Sequence, residues 1–327
     1  MIKPIPMMTI ASLTSGFLIF LWVDSSSYRC YYRAYCPIIM TDNNQSLKTA
    51  HDNFIDYLKK SGKATSTILA YGADIEQFLR FLEQKKITQV TSVTQEIVEE
   101  FKSYLEGEKY TKKSISRKLN SLKTFFRRLK EKGVIEKDPA VSVEHPKYEI
   151  LSPRVLSRME YRALRDACRD DPRMAAIIEI FLQTGLRIGE LARLELDEII
   201  EKEIKVRAYE SHTNRTIPLN EPAKKALNRY FEVRSKTKSR AVFVTKTGRP
   251  MLVRNIRASI GRYFRLTGIK KATVNDLRHT FIVHQLSSGT SVTTVQRLVG
   301  HKRLSTTEKY LEMVETKGEE KVKLEEL

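Results

Sequence analysis

Residues 272–311 read ATVNDLRHTFIVHQLSSGTSVTTVQRLVGHKRLSTTEKYL, and the rest of the chain is best understood from this stretch. Breaks at Ser287-Ser288-Gly289 and Gly300-His301-Lys302 divide it into three short helical segments that carry Arg278, His301 and Tyr310. An arginine fork can hold a phosphate, an imidazole can donate to it or move a proton, and a phenol can attack it. A single tyrosine on a helix is ordinarily packing. The set therefore calls for a second arginine and a surface that suits a polyanion.

Upstream lies a helical framework. Ser157-Arg158-Met159-Glu160 is a serine cap with a glutamate three residues on, the signature of a helix start. Pro172 to Thr184 is apolar on most sides, with Met174, Ile177, Ile178, Ile180, Phe181 and Leu182, and reads as a core helix ending at Thr184-Gly185. Directly after that glycine, Arg187 stands at the mouth of a new short helix that Ile188 and Leu191 can anchor. There it either directs its guanidinium at a phosphate or pairs with Glu190 or Glu195. Residues 204–209 alternate in polarity and precede Arg215-Thr216-Ile217-Pro218-Leu219, so Glu210–Asn214 is expected to form the turn of a β-hairpin. Ala241–Val244 is expected as a further short strand between helices Glu221–Arg234 and Val253–Leu266, the latter with Arg254, Arg257, Arg262 and Arg265 on or near one side. Residues 153–315 thus form a mostly helical domain with a small antiparallel sheet.

Residues 41–146 read as a separate domain of four amphipathic helices. The second carries Ile68, Tyr71, Ile75, Phe78, Leu79 and Leu82 at helical spacing. The third runs from about Thr94 to Leu105. The fourth, Lys112 to Lys132, has Ile115, Leu119, Leu122, Phe125, Phe126 and Leu129 on its apolar side. Its polar side sets Lys112, Lys113, Arg117, Lys118, Lys123, Arg127, Arg128, Lys130 and Lys132 against one acid, Glu131. Like charges at helical spacing repel, so this imbalance favours a phosphate-contacting face over a merely solvated one. Gly133 stops the helix, and Asp138-Pro139, His145-Pro146 and Ser152-Pro153 hold the following residues in an extended linker.

Composition agrees with a polyanionic partner. The 327 residues include 58 Lys and Arg against 39 Asp and Glu, a formal charge of +19. The three cysteines, Cys30, Cys36 and Cys168, are too few and too scattered for a disulfide scaffold or a zinc site, which fits a reducing, cytoplasmic setting. Residues 1–40 differ from the rest. Met7 to Val23 is mostly apolar over about 17 residues, near the lower limit for a membrane span. Met40 precedes a polar, helix-starting sequence, so the expected natural start is Met40, with a membrane anchor over residues 7–23 as the rival reading.

Four motifs now stand in order: TGLRIGEL at 184–191, NDLRHTF at 275–281, LVGH at 298–301, and Tyr310 nine residues after the histidine. Together they resemble the tyrosine recombinases, most closely the Xer-like recombinases and the phage and transposon integrases. The TSTILAYGADIEQFLRFL stretch at 65–82 is similar to that family's helical, SAM-like DNA-clamping domain. The resemblance implies a mainly α fold and a site-specific DNA recombinase acting as a homotetramer on paired double-stranded sites. It implies catalysis by Arg187, Arg278, His301 and Tyr310 through a 3′-phosphotyrosyl intermediate, without metal, cofactor, ATP or small-molecule substrate. Lys112, Lys113, Arg117, Lys118, Arg127 and Arg128 would then contact DNA, and the tail over 316–327 would dock on a neighbouring protomer.

Two positions depart from the family pattern. Asn275 stands where the family has a histidine, and it cannot carry a proton as imidazole does. His279, adjacent to Arg278, is expected to point elsewhere. The lysine expected in the hairpin turn, the acid for the leaving 5′-oxygen, would fall at Glu210 or Ser211; Lys205 is the first candidate to replace it and His212 the second. These departures keep two further readings open: a DNA-binding protein of this fold with weakened or lost catalysis, and a relaxing enzyme of the type IB topoisomerase kind.

Overall fold

The computed structural model of the chain describes residues 46–149, 152–209 and 213–318, together with an antiparallel pair of two-residue strands, β1 (Trp22–Val23) and β2 (Cys30–Tyr31). Most of the apolar run over residues 7–23, the start at Met40, His212 and the tail beyond residue 318 lie outside the described residues. No helix among the described residues is long and apolar enough to cross a membrane. The fold is mainly helical with a small antiparallel sheet, and the chain divides at Tyr148 and Glu149 into two compact units.

The first unit holds α1 (Leu47–Lys60), α2 (Thr65–Gln84), α3 (Gln95–Gly107) and α4 (Lys112–Glu131). Hydroxyls begin two of them: Ser46 Oγ accepts from Thr49 N at 3.2 Å, and Thr111 Oγ1 from Ser114 N at 3.3 Å. Their apolar stripes meet in one core built on Phe54, Phe78, Phe101, Phe125 and Phe126. Phe78 lies edge-on to Phe101 and to Phe126 with ring centroids 5.0 and 5.9 Å apart, the arrangement that aromatic quadrupoles favour.

A buried ion cluster ties α2 to α4. Asp74 is 2 % exposed. Its carboxylate accepts from Lys118 Nζ at 3.0 Å, from Ser121 Oγ at 2.8 Å and from both terminal nitrogens of Arg117. Lys118 is itself buried, donates to Gln77 Oε1 at 2.6 Å and lies over the Tyr110 ring. Lys118 therefore leaves the exposed cationic face on which the sequence had placed it: its charge is spent on Asp74. Arg128 is also engaged, stacked 4.2 Å from the Tyr57 ring centroid and paired with Glu131 at 3.1 Å. Lys112, Lys113 and Arg127 are exposed, as is the outer part of Arg117. Lys113, Arg117, Lys123 and Arg127 border a concavity of about 640 Å³ along α4.

The second unit opens with α5 (Arg158–Ala167), whose capping box forms as the sequence indicates: Ser157 Oγ accepts from Glu160 N at 3.2 Å, and Glu160 Oε2 from Ser157 N at 2.8 Å. Then come α6 (Pro172–Thr184), α7 (Ile188–Arg193), strands β3 (Ile199–Ile200), β4 (Glu203–Val206) and β5 (Arg215–Pro218), α8 (Glu221–Val233) and α9 (Val253–Leu266). They are followed by α10 (Val274–Ser287), α11 (Val292–Val299), α12 (Ser305–Glu308) and α13 (Leu311–Gly318). Helix α6 runs through the core, with Ala176, Ile177, Ile180 and Phe181 fully buried. The sheet has order β3-β4-β5, with Ile204 opposite Ile217 and Val206 opposite Arg215. Ala241–Val244 does not join it as a strand. It makes only isolated bridges, Glu195 to Ala241 and Val244 to Pro250, because the buried Val242 and Phe243 are anchored by α8 instead: Tyr230 Oη donates to Val242 O, and its ring stacks on Phe243.

Asp74→Ala leaves Lys118 as an uncompensated buried charge and should destabilise the first unit by about 3–5 kcal/mol. Adding Lys118→Met should restore most of that loss in denaturant unfolding.

Candidate active site

The site is assembled around the end of one helix. The last carbonyls of α11 have no partner within the helix. Three arginines from distant points of the chain satisfy them: Arg215 Nε donates to Leu298 O at 2.8 Å, Arg278 Nη2 to Val299 O at 2.7 Å, and Arg187 Nη2 to Gly300 O at 2.7 Å. Arg278 also donates to Gly185 O. Both glycines are required by geometry. Gly185 (φ +60°) and Gly300 (φ +67°) are left-handed caps of α6 and α11. A Cβ on Gly185 would meet the Phe281 ring at 2.4 Å, and one on Gly300 would press the Arg215 guanidinium at 3.0 Å.

One carboxylate balances the cluster. Glu190 Oε1 accepts from Arg187 Nη1 at 3.0 Å and Arg215 Nη1 at 2.8 Å; Oε2 accepts from Arg215 Nη2 at 2.7 Å and Arg187 N at 2.8 Å. Burial opposes its charge, but the hydrogen bonds and charges of Arg215 and Arg187 outweigh it and hold the carboxyl at about 2 against an ordinary 4.5. Burial, then the charges of Arg187 and Arg215, lower Arg278 to about 9, so it remains a cation at neutral pH.

His301 lies in the loop after Gly300 rather than on a helix, and Tyr310 lies between α12 and α13. His301 Nδ1 is 2.9 Å from Oγ1 of the buried Thr307, and its ring stacks nearly parallel to the Tyr310 ring, 16° apart with centroids at 6.3 Å. Burial, followed by Arg278, Arg187 and Arg215, lowers His301 to about 4, so the imidazole is neutral at pH 7. Tyr310 is 7 % exposed and packs among Phe281, Val295 and Val299. Burial raises its pKa and Arg278 opposes the rise. A cluster of arginines with a phenol and a neutral imidazole beside it suits a negatively charged phosphoryl group.

Residues 154–316 match the phage integrase family, and residues 52–133 match the N-terminal SAM-like domain of phage integrases. The tyrosine recombinase XerC of Thermodesulfovibrio yellowstonii is 31 % identical over 276 residues, spanning 79 % of this chain and 89 % of the relative. The chain belongs to the tyrosine recombinases. The tyrosine recombinase XerD of Staphylococcus haemolyticus is 28 % identical over 283 residues, 83 % of this chain and 96 % of the relative. Two solved structures share the fold: a lambda integrase (75–356) dimer bound to a COC′ core site (TM-score 0.70, 18 % identity, 86 % of this chain and 99 % of that one), and the Tn1549 transposon integrase (aa 82–397) with circular intermediate DNA (TM-score 0.67, 22 % identity, 81 % and 95 %).

Within this family member, Arg187, Arg278, His301 and Tyr310 come together, and the other expected residues do not join them closely. Asn275 begins the α10 face that carries Arg278 one turn on; it is exposed and its side chain hydrogen-bonds to no described residue. Lys205 is exposed on β4 opposite Thr216, hence on the face of the hairpin away from Val206 and Arg215. His279 does not point elsewhere as the sequence suggested. Its ring lies 5.8 Å from that of Tyr310, with Nδ1 3.4 Å from Asp276 Oδ1. Arg215, placed by the sequence only in the second strand of the hairpin, is a further member of the cluster. The available signal was alternation: Arg215 shares a strand face with the buried Ile217, and a cation at such a position needs a buried partner.

Two outcomes follow from this geometry. Gly300→Ala should strain the αL cap and displace Arg215, costing about 1–3 kcal/mol in thermal unfolding. Glu190, with its folded pKa below the unfolded one, adds stability that is complete above pH 4.5 and lost as pH falls towards 2. Glu190→Gln should abolish that acid limb, on the order of 3 kcal/mol, and also lower stability at pH 7.

Proposed function

We propose that the chain cuts and rejoins double-stranded DNA at specific sites through a covalent tyrosyl intermediate. The observation that carries this is the convergence of Arg187, Arg278, His301 and Tyr310 on the end of α11. Tyr310 Oη attacks the phosphorus; the P–O5′ bond breaks, leaving a 3′-phosphotyrosyl link and a 5′-hydroxyl. Attack by the 5′-hydroxyl of another strand reverses the step and frees the tyrosine, so bond energy is conserved and neither ATP nor a metal is needed. Arg187 and Arg278 grip the non-bridging oxygens with the N–H groups not spent on carbonyls, and His301 adds a hydrogen bond or takes the phenol proton. Lys112, Lys113, Arg117 and Arg127 on α4 position the duplex through its phosphates. The working assembly is a homotetramer on two paired sites, held in part by the tail beyond residue 315.

A second reading, DNA binding without turnover, draws on the exposed Asn275 and on Lys205 facing away from Arg215. A direct test separates them. Duplexes enriched on the protein from a random-sequence pool are rebuilt with a nick near the bound centre, so that a cleaved fragment diffuses away. Wild type should accumulate a denaturation-resistant protein–DNA adduct. Tyr310→Phe should bind equally well and form none, and Arg187→Ala should slow adduct formation by on the order of 10²–10³-fold. Binding without adduct at every nick position would overturn the enzymatic reading. Recombinant product, rather than relaxed plasmid alone, marks strand exchange.

A further inference from the structure

The hairpin lacks a lysine where this chemistry needs a proton donor, and the fold offers one elsewhere. A concavity of about 770 Å³ lies between the second hairpin strand and the α11–α12 loop, lined by Asn214, Arg215, Thr216, Arg297, His301 and Lys302 among others. Tyr310 does not line it. In an in-line displacement the leaving oxygen departs on the side of phosphorus opposite the nucleophile. A donor for that oxygen is therefore sought away from Tyr310, and this concavity reaches the site through Arg215 and His301 without being lined by Tyr310.

Its cationic side chains are not equivalent. Arg215 is committed to Glu190 and to the Leu298 carbonyl. Arg297 is exposed, but a guanidinium does not release its proton at working pH. His301 is neutral at pH 7. Lys302 directly follows His301, is exposed, and forms no ion pair or hydrogen bond to a described residue. Lys205 lines a different concavity of about 430 Å³ with Asp197 and Glu198, on the strand face opposite Ile204 and Val206 and away from His301.

We propose that Lys302 is the general acid that protonates the departing 5′-oxygen, in place of a hairpin lysine. The inference rests on the strand-cleavage reading above. As Tyr310 Oη bonds to phosphorus and the P–O5′ bond breaks, the electron pair of that bond passes to O5′, which takes a proton from the Lys302 ammonium. The phenol proton leaves to His301 or to water. In rejoining, the neutral Lys302 amine takes the proton back from the attacking 5′-hydroxyl.

The test replaces the 5′-bridging oxygen of the nicked duplex by sulfur. A thiolate leaves without protonation, so loss of the acid is repaired and loss of any other function is not. Lys302→Ala should slow adduct formation at saturating oxygen-bridged DNA by on the order of 10²–10⁴-fold and recover to near the wild-type rate on the sulfur-bridged duplex. Lys302→Arg should behave as Lys302→Ala does, since it keeps the charge but yields no proton. Arg187→Ala should remain slow on both substrates. The exposed position leaves thermal unfolding of the Lys302 variants unchanged. Wild-type rates from Lys302→Ala, equal slowing on both duplexes, or sulfur rescue of Lys205→Ala instead would each overturn the assignment. Absence of any wild-type adduct on either duplex would overturn the strand-cleavage reading itself.

Discussion

The end of α11 is the point on which the site depends. A helix C-terminus carries carbonyls without donors and the negative pole of the helix dipole. Here Leu298, Val299 and Gly300 each receive a different arginine, so three cations are drawn from 83 to 113 residues and from 21 residues away in sequence onto three consecutive carbonyls. Three guanidinium groups held close together repel, and among the described residues Glu190 supplies the carboxylate that pairs with two of them. Three positive charges and one negative leave two positive. A phosphodiester carries one negative charge, and attack by a tyrosinate brings it to two. In the proposed reaction that surplus matches the transition state better than the ground state, the condition for catalysis by preorganised charge.

The resting state of Tyr310, the proposed nucleophile, fits the same electrostatics. Buried among Phe281, Val295 and Val299, Tyr310 is held in its neutral form by its surroundings, with Arg278 pulling the other way. A neutral phenol is a poor nucleophile, so the free protein gains little from a tyrosine placed beside its arginines. In the proposed reaction a phosphate meets the arginine N–H groups not spent on carbonyls, and the His301 and His279 rings already lie beside the phenol. In the first unit the corresponding economy is Asp74, which consumes Lys118 and part of Arg117 to lock α2 against α4 and leaves Lys112, Lys113 and Arg127 free on the surface.

Much of this was legible in the residues. The spacing of Ile75, Phe78 and Leu82 and of Leu122, Phe125 and Leu129 marked α2 and α4, and Ser157 with Glu160 marked the start of α5. Arg187 after Gly185 was readable because a left-handed cap before a short helix leaves few places for its side chain. What stayed hidden depends on contacts between distant segments. Lys118 looked like any other cation of α4 because the charge that buries it lies 44 residues away. Arg187 was open to two readings, a phosphate or a pairing with Glu190 or Glu195, and here it pairs with Glu190 while its other terminal nitrogen donates to Gly300 O. Ala241–Val244 has the composition of a strand, but packing beneath α8 decided its conformation instead. The proposed proton donor was the least legible of all, since Glu210 and Ser211 occupy the place where pattern alone would look for it.

The central claim is that one phenolic oxygen, that of Tyr310, becomes bonded to the 3′-phosphate of cleaved DNA. Mass analysis of the trapped adduct after nuclease and trypsin digestion tests it most directly. The peptide over residues 310–317 is expected to carry a nucleotide joined through its 3′-phosphate, with a free 5′-hydroxyl on the released strand. A nucleotide found on any other residue, or joined through a 5′-phosphate, would contradict it.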